Sequence, residues 1–365
     1  MLALVIVAVV ISTFYILLWI GWERIPMDNV QNEHQGVTVL IPVRNESKNI
    51  RQLLEKLADQ HFPKHLMEVI IIDDHSEDNT VEIVKSVAMH VPFPLKCIQL
   101  DKDQFGKKTA AMVGNEIAKF DIILCTDGDT SPGKNWIRYM TGPIAKRKKQ
   151  MVSGPVKMIG DRRIERIQQL EFMGLIGMGA VSLFLNKPTM CNGANMAYRS
   201  SAFETVNGYL DNLHIPSGDD EFLMRKISSA FPGLVSFVKS PKALVCTPSK
   251  PTIYLLWAQR VRWISKWRFH KSILISLLSI LGFIVFTIFS FFFLYLMLTS
   301  PLMSLISLLL VSIGVGFYLR WLSEFFDIKM NILDLILLVF IYPFYVVVLG
   351  IASIFGSYSW KGRSY

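Results

Sequence analysis

The chain has 365 residues, 52% of them hydrophobic, and a formal net charge of +9 at pH 7. Its positive mean hydropathy argues against an ordinary soluble protein of this size, whose apolar share is about 45–50%. The four cysteines, Cys97, Cys125, Cys191 and Cys246, have no CxxC spacing. Neither a zinc site nor a disulfide framework is indicated, and they read as reduced thiols in a cytoplasmic core.

The first element in chain order is 2–22, which carries no charge before Glu23; about 20 apolar residues are enough to cross a bilayer. No Lys or Arg precedes it and no small-residue cleavage pattern follows, so it reads as a retained membrane helix and not as a signal peptide. Residues 23–248 then make one globular domain. Within it, 37–43 is a β-branched run of strand length ending at a turn, and 49–60 is helix-like. The pattern repeats with a strand at 68–72, the turn residues Asp73, Asp74, His75 and Ser76, and a helix opened by Asn79 and Thr80. Strands at 95–100 and 121–125 flank a helical segment at 108–119. Such alternation predicts a mostly parallel sheet covered on both faces, with ligands bound beyond the carboxyl ends of its strands.

Those ends carry Asn45 and Glu46, Asp73 and Asp74, and Asp127 with Asp129, which gathers polar residues at one rim. Taken singly, Asp73, Asp74 and Ser76 read as turn or helix-cap residues. Three strand ends of this kind in one domain argue for a site. No GxxxxGK[ST] and no GxGxxG follows a strand, so bound phosphates need a metal and basic side chains to neutralise them. Asp127 and Asp129, one residue apart, can share a divalent cation that bridges a diphosphate. A carboxylate of the Gly218–Glu221 run is then free to act as a base. For Asp219 the alternative is an acid at the favourable end of a helix dipole; for Lys107 and Lys108 the choice is between a solvated face and a phosphate contact.

Further along, 165–171 is polar and helical and 172–185 almost wholly apolar. At about 14 residues the apolar part is too short to span, so it reads as a buried helix or as a stretch touching the membrane where an apolar acceptor docks. Residues 249–271 mix Trp257, Trp263 and Trp267 with Arg260, Arg262, Lys266 and Arg268, as an interfacial amphipathic helix requires. Then come about three transmembrane stretches within 272–356 (272–298, 302–319 and 332–355) and a short tail, 357–365. Of the net +9, +7 falls in 23–270, which places the central domain on the cytoplasmic side. Three further crossings would leave Lys361 and Arg363 outside, against that tendency. Either 332–355 is re-entrant around Pro343 or the terminal charges are tolerated.

With these residues in view, the chain resembles the membrane-bound family 2 glycosyltransferases, the inverting group with a GT-A domain, over roughly residues 37–270. The motifs stand as IPVRNE at 41–46, IDDHSEDNT at 72–80, CTDGD at 125–129, CNGANMAYR at 191–199, GDDEF at 218–222 and QRVRW at 259–263. DxD alone is weak; the ordered set is strong. The resemblance implies an α/β fold: a GT-A, Rossmann-like catalytic domain flanked by one N-terminal and about three C-terminal transmembrane helices. It implies that Asn45, Glu46 and Asp74 contact the uracil and ribose of a UDP-sugar. Asp127 and Asp129 would hold Mg²⁺ or Mn²⁺ against the diphosphate, Asp129 being the preferred direct ligand. Asp220 matches the catalytic base. Gln259, Arg262 and Trp263 match a gate over the donor, with Trp263 also flooring the acceptor; Asn192, Gly193 and Asp219 lie on the acceptor side.

The expected partners are a nucleotide-sugar donor, a lipid or lipid-linked acceptor and the membrane, with no nucleic acid, in a bacterial inner membrane. Size and the terminal residues 360–363 are similar to the lipid-glycosylating members. A processive polysaccharide synthase shares the same motifs, but three helices after the domain leave little to line a polymer channel. A catalytically silent scaffold or transporter subunit is disfavoured, because the apolar stretches hold only Asp334 as an ionisable residue and mark no ion path.

Overall fold

The computed structural model describes residues 2–215, 217–265, 273–355, 359–360 and 363–364. Lys266, Trp267 and Arg268 of the expected interfacial segment, and Lys361 of the tail, lie outside the described residues. Along the chain the helices are α1 (Leu2–Arg24), α2 (Ile50–Ala58), α3 (Thr80–Ala88), α4 (Lys107–Glu116), α5 (Trp136–Arg147), α6 (Arg163–Phe184), α7 (Ser200–Thr205), α8 (Asp219–Ala230), α9 (Ile253–Ser265), α10 (Ile273–Thr299), α11 (Pro301–Phe326) and α12 (Ile332–Phe355). The strands are β1 (Val37–Val43), β2 (Met67–Asp73), β3 (Leu95–Gln99), β4 (Ile122–Cys125), β5 (Ser131–Pro132), β6 (Met151–Ser153), β7 (Val156–Ile159), β8 (Met196–Arg199), β9 (Val235–Phe237) and β10 (Val245–Pro248), with a last short antiparallel pair, Ser359–Trp360 with Arg363–Ser364.

Two compact units result: an α/β unit, Ile25–Lys157 with Gly179–Pro248, and a helical unit, Met1–Arg24 with Met158–Met178 and Ser249–Tyr365. Residues 158–178, inside the span 23–248 read from sequence as one domain, thus group with the helices.

The α/β unit is built on a seven-stranded sheet in the order β3-β2-β1-β4-β8-β6-β9. β8 runs antiparallel to both β4 and β6, while β1 to β4 are mutually parallel and β6 is parallel to β9. Six strands therefore point one way, as the sequence pattern led one to expect. All seven residues of β2 are buried, which is why the strand reads as a continuous apolar run without alternation. β1 carries Pro42, a residue that cannot donate to a ladder. Leu40 C=O accepts Thr126 N–H on the β4 side, and Pro42 faces the same way two residues on. There β1 has already run past Cys125, the last paired residue of β4, so no donor is missed. On the sheet's faces α2 buries Ile50, Leu53, Leu54 and Leu57, an i, i+3, i+4, i+7 stripe. These meet Val39, Ile41, Ile71 and Leu124 in the core, each buried aliphatic side chain contributing about 1.5–3 kcal/mol.

Among the described residues, five helices are long and apolar enough to cross a membrane by length and composition: Leu2–Arg24, Arg163–Phe184, Ser279–Thr299, Pro301–Phe326 and Ile332–Ala352. The sequence reading had four. It divided α6 at Phe172 and judged the apolar part too short, whereas the helix runs through Glu171 for 22 residues. Glu171 fits inside it because its carboxylate is paired, as described below. α12 likewise runs through Pro343 for 24 residues, so the backbone makes no re-entrant turn there. A proline removes one intrahelical bond; in an apolar setting the remaining bonds have no water to replace them, and the helix persists. α1 and α11 approach closely where a Cβ on Gly314 would stand 2.5 Å from the Ser12 carbonyl, the small-residue contact that brings membrane helices together. Asp334, 1% exposed, opens α12 and accepts from Arg166 Nε at 2.7 Å, with Arg163 Nε 3.5 Å away.

Candidate active site

The rim of the α/β unit is assembled where β1, β2, β3 and β4 end. After β1 the chain turns at Asn45, whose φ is 53°. Ser76 Oγ accepts Asn45 N–H at 2.8 Å, and Asn45 Oδ1 accepts Glu77 N–H at 2.8 Å, so the turns after β1 and β2 are tied together. Buried Arg44 reinforces the tie by donating to the carbonyls of Asp74 and His75, both at 2.8 Å. Glu46 accepts from Asn49 Nδ2 at 2.8 Å. Asp73 and Ser76 serve the turn: Asp73 Oδ2 accepts Ser76 N–H at 3.1 Å and Gln99 Nε2 at 3.3 Å. Asp74 reaches to the next loop, accepting Gly106 N–H at 3.1 Å beside its 3.2 Å contact to His75 Nδ1. His75 in turn stacks on exposed Phe105, ring centroids 4.9 Å apart. Sequence reasoning singled out neither ring of that pair, although His75 sits in the motif at 72–80.

Asp127-Gly128-Asp129 follows β4. A Cβ on Gly128 would meet Glu46 Cγ at 2.8 Å and Val43 Cγ1 at 3.2 Å, so only glycine lets the two aspartates close against the end of β1. From the other side of the sheet, Thr126 Oγ1 donates to Ala194 C=O at 2.8 Å, anchoring the 191–195 loop beside the aspartates. Buried Asn195 holds that loop: its Nδ2 donates to the carbonyls of Pro155 and Ala243, and its Oδ1 accepts Trp136 Nε1 at 2.8 Å. Asn192 Oδ1 accepts Ala194 N–H at 2.9 Å.

Gly218, at φ 81°, takes the left-handed conformation that an L side chain resists, and α8 starts at once with Asp219. Asp220 Oδ2 accepts Gly193 N–H at 3.0 Å and Oδ1 accepts Glu221 N–H at 2.7 Å. Its carboxylate is thus aimed by two backbone donors, one from the 191–195 loop and one from the next residue of α8. Glu221 is buried and paired to Arg225 one turn on.

Two neighbouring lysines of α4 have opposite fates. Lys107 Nζ lies 2.7 Å from Asp127 Oδ1 and 3.2 Å from Asp219 Oδ2, joining the DxD aspartate to the GDD run. Burial alone would lower its pKa; the charges of Asp127, Asp219 and Asp220 overrule that and hold it well above the usual lysine range. Lys108 is buried and donates to the carbonyls of Asn212 (2.8 Å) and Ile215 (2.9 Å), with its ammonium 4.7 Å over the Phe222 ring. It is not a solvated residue: it ties down the loop that leads to Gly218.

Gln259, Arg262 and Trp263 stand on α9, in the helical unit. Their neighbour Arg260, named from sequence only among the cations of an interfacial segment, is 3% exposed. It grips Glu171 with Nη2 at 2.6 Å and Nε at 3.3 Å, donates to Gln259 Oε1 at 2.9 Å and lies 4.3 Å from the Trp263 ring centroid. Trp263 also meets Phe172, centroids 5.8 Å apart. Gln259 and Trp263 are therefore both oriented by a buried ion pair that α9 makes with α6.

The donor set decides how a divalent cation could be held here. Among the described residues no three His, Cys, Asp or Glu side chains converge as a ready-made metal cage. Two aspartates on a partly open rim, with Asp127 39% exposed, fit the other mode. In it a hard cation takes one or two carboxylates and completes its shell with substrate phosphate oxygens and water.

A mostly parallel sheet with one reversed strand, carboxylates gathered past its strand ends and an aspartate aimed by backbone donors make the α/β unit a GT-A-like sugar-transfer domain. Residues 38–206 match the model for "Glycosyl transferase family 2". That stretch, a little under half of the chain, is similar to the family, and the chain is a glycosyltransferase. It is 26% identical over 226 residues to Glycosyltransferase AglE of Haloferax volcanii, a stretch covering 61% of this chain and 70% of that protein. Over 240 residues it is 29% identical to Poly-beta-1,6-N-acetyl-D-glucosamine synthase of Staphylococcus epidermidis, covering 64% of this chain and 56% of the synthase, little more than half its length. Among solved structures, mannosyltransferase PcManGT from Pyrobaculum calidifontis, in complex with GDP-Man and Mn²⁺, superimposes with a TM-score of 0.63 at 17% identity, over 96% of this chain and 99% of that one.

Proposed function

We propose that the protein is a metal-dependent inverting transferase that moves one sugar from a nucleotide-sugar, preferentially a UDP-sugar, to a hydroxyl of a lipid or lipid-linked acceptor at the cytoplasmic face of the membrane. The observation that carries this reading is the placing of Asp220. Its two oxygens are held by Gly193 N–H and Glu221 N–H, and Asp219 beside it is linked through Lys107 to Asp127 of the DxD run. Asn45, Glu46 and Asp74 line the nucleoside end of the rim, and Asp127 with Asp129 holds Mg²⁺ or Mn²⁺, which supplies charge stabilisation to the leaving diphosphate. Asp220 takes the proton from the acceptor hydroxyl as its oxygen attacks the anomeric carbon opposite the leaving group. One base suffices, since a nucleoside diphosphate departs without the acid that a glycosidase needs. Asn192, Gly193 and Asp219 border the acceptor, and the motif at 259–263 assigns Gln259, Arg262 and Trp263 to donor recognition, Arg262 offering a guanidinium matched to phosphate oxygens. The long apolar helices favour a membrane-borne acceptor, and the +7 charge of residues 23–270 favours a cytoplasmic domain.

The test is nucleotide release from UDP- and GDP-sugars by the membrane-embedded protein, with Mg²⁺ or Mn²⁺, with and without extracted lipids. GDP-sugars belong in the panel because the superimposed mannosyltransferase holds GDP-Man and Mn²⁺. Lipid-stimulated release giving one glycolipid band, lost with chelator and reduced by about 10²–10⁴-fold in Asp220→Asn, supports the reading. No metal-dependent turnover with any donor refutes it. The resemblance to the staphylococcal synthase favours a second reading, processive polymer synthesis, and long products from the same assay would establish it instead.

A further inference from the structure

The Lys107 ammonium is enclosed by acids and backbone. It reaches Asp127 Oδ1 at 2.7 Å and Asp219 Oδ2 at 3.2 Å. On a further side the 191–195 loop closes in, so that a Cβ on Gly193 would stand only 3.0 Å from Nζ and 3.2 Å from the same Asp219 oxygen. The side chain is 24% exposed, so one direction remains open. We propose that Lys107 gates the cation site: its ammonium competes with a divalent ion for Asp127 and makes uptake of that ion conditional on a nucleoside diphosphate.

The argument is electrostatic. An ammonium and a dication on one carboxylate repel each other, and the loop backbone leaves the lysine no retreat toward Gly193. A diphosphate entering by the open side brings two or more negative charges and oxygens that accept from the ammonium. Lys107 can then leave Asp127 for the phosphate without losing its partners, and the carboxylate is released to the ion. The DxD pair alone offers too few ligands for a tight independent site, in keeping with a cation shared with substrate phosphates. Lys107 thus acts as a positioning residue that sets the order of binding. The inference rests on the nucleotide-sugar reading of the rim.

The experiment titrates Mn²⁺ into the full-length protein in detergent or nanodiscs, following free Mn²⁺ by its paramagnetic resonance signal, alone and with UDP or GDP. Wild type should bind Mn²⁺ at least ten-fold more tightly with nucleotide than without it. Lys107→Met should gain about ten-fold in affinity for Mn²⁺ alone, reducing the nucleotide effect, while Lys107→Arg, which keeps the charge, should gain much less. Asp127→Asn added to Lys107→Met should erase the gain; a gain that survives it lies elsewhere and overturns the proposal. Equal affinity for Mn²⁺ alone in wild type and Lys107→Met, with nucleotide tightening both, overturns the role of the lysine and leaves the donor reading standing. A Lys107→Met gain with no effect of UDP or GDP on either protein overturns the nucleotide-sugar reading, and conditional uptake with it. Should Lys107→Met not fold, wild type decides: Mn²⁺ bound as tightly alone as with nucleotide refutes the proposal.

Discussion

The two units each hold a cation among carboxylates, and they hold it in opposite ways. In the helical unit Arg260 meets Glu171 through two nitrogens, and the pair is 3% and 9% exposed. In the α/β unit one ammonium, Lys107, lies between Asp127 and Asp219, which are 39% and 16% exposed. A guanidinium offers a planar fork that a carboxylate matches, whereas an ammonium is a point charge that is readily re-aimed. The buried, matched pair is therefore suited to fixing a helix, and the outnumbered, half-open lysine to changing partners. Charge alone does not distinguish structural from working residues here; stoichiometry and exposure do.

The largest test of this contrast is on stability. Removing one member of the buried pair, by Arg260→Met or Glu171→Gln, should cost about 3–5 kcal/mol, because the survivor is left charged or unpaired in an apolar setting. The double replacement Arg260→Met with Glu171→Met should recover most of the loss. Lys107→Met, by contrast, should change stability by about 1 kcal/mol or less, since its partners stay in contact with water. Thermal inactivation of the detergent-solubilised protein reads all four, and equal losses for Arg260→Met and Lys107→Met would dissolve the distinction. An intermediate effect is expected at Lys108, whose two carbonyl acceptors sit in the loop before Gly218. Lys108→Met should cost about 1.5–3 kcal/mol and speed proteolytic nicking between residues 207 and 217, whereas Lys107→Met should leave that loop intact. The smallest effect concerns Cys125, one strand residue before the rim. Burial pushes its thiol up to about 12, so iodoacetamide at pH 8 should label it only after unfolding; labelling of the native protein would show a rim more open than the one described.

Much of the site was legible because the relevant strands are buried on both faces and so announce themselves as unbroken β-branched runs. β1 falls at 37–43 as read, and β2 is longer by one residue at each end than the 68–72 read from sequence. The polar residues that follow each run could then be collected at one edge by the rule for parallel sheets. What stayed hidden depends on contacts distant in sequence. β8 inserts antiparallel between β4 and β6 with only four residues, too few for any periodicity to show. Lys107 and Lys108 are adjacent and chemically alike, and only the fold sends one to carboxylates and the other to carbonyls. Arg260 was grouped with its basic neighbours because its partner, Glu171, lies 89 residues away. The same acid made α6 look interrupted at Phe172, when the pairing is what allows the helix to continue.

The start of α4 has a dynamic consequence. The helix opens at Gly106 with no side-chain cap and no acid in its first turn. Its first two residues are instead lysines, placed where the helix dipole is positive and disfavours them. That turn has little stability of its own; it is ordered by what the lysines grip in other segments. Whatever draws the Lys107 ammonium aside therefore also slackens a turn of helix, so fraying at this end, on the timescale of local opening, should rise and fall with the occupancy of the acidic rim.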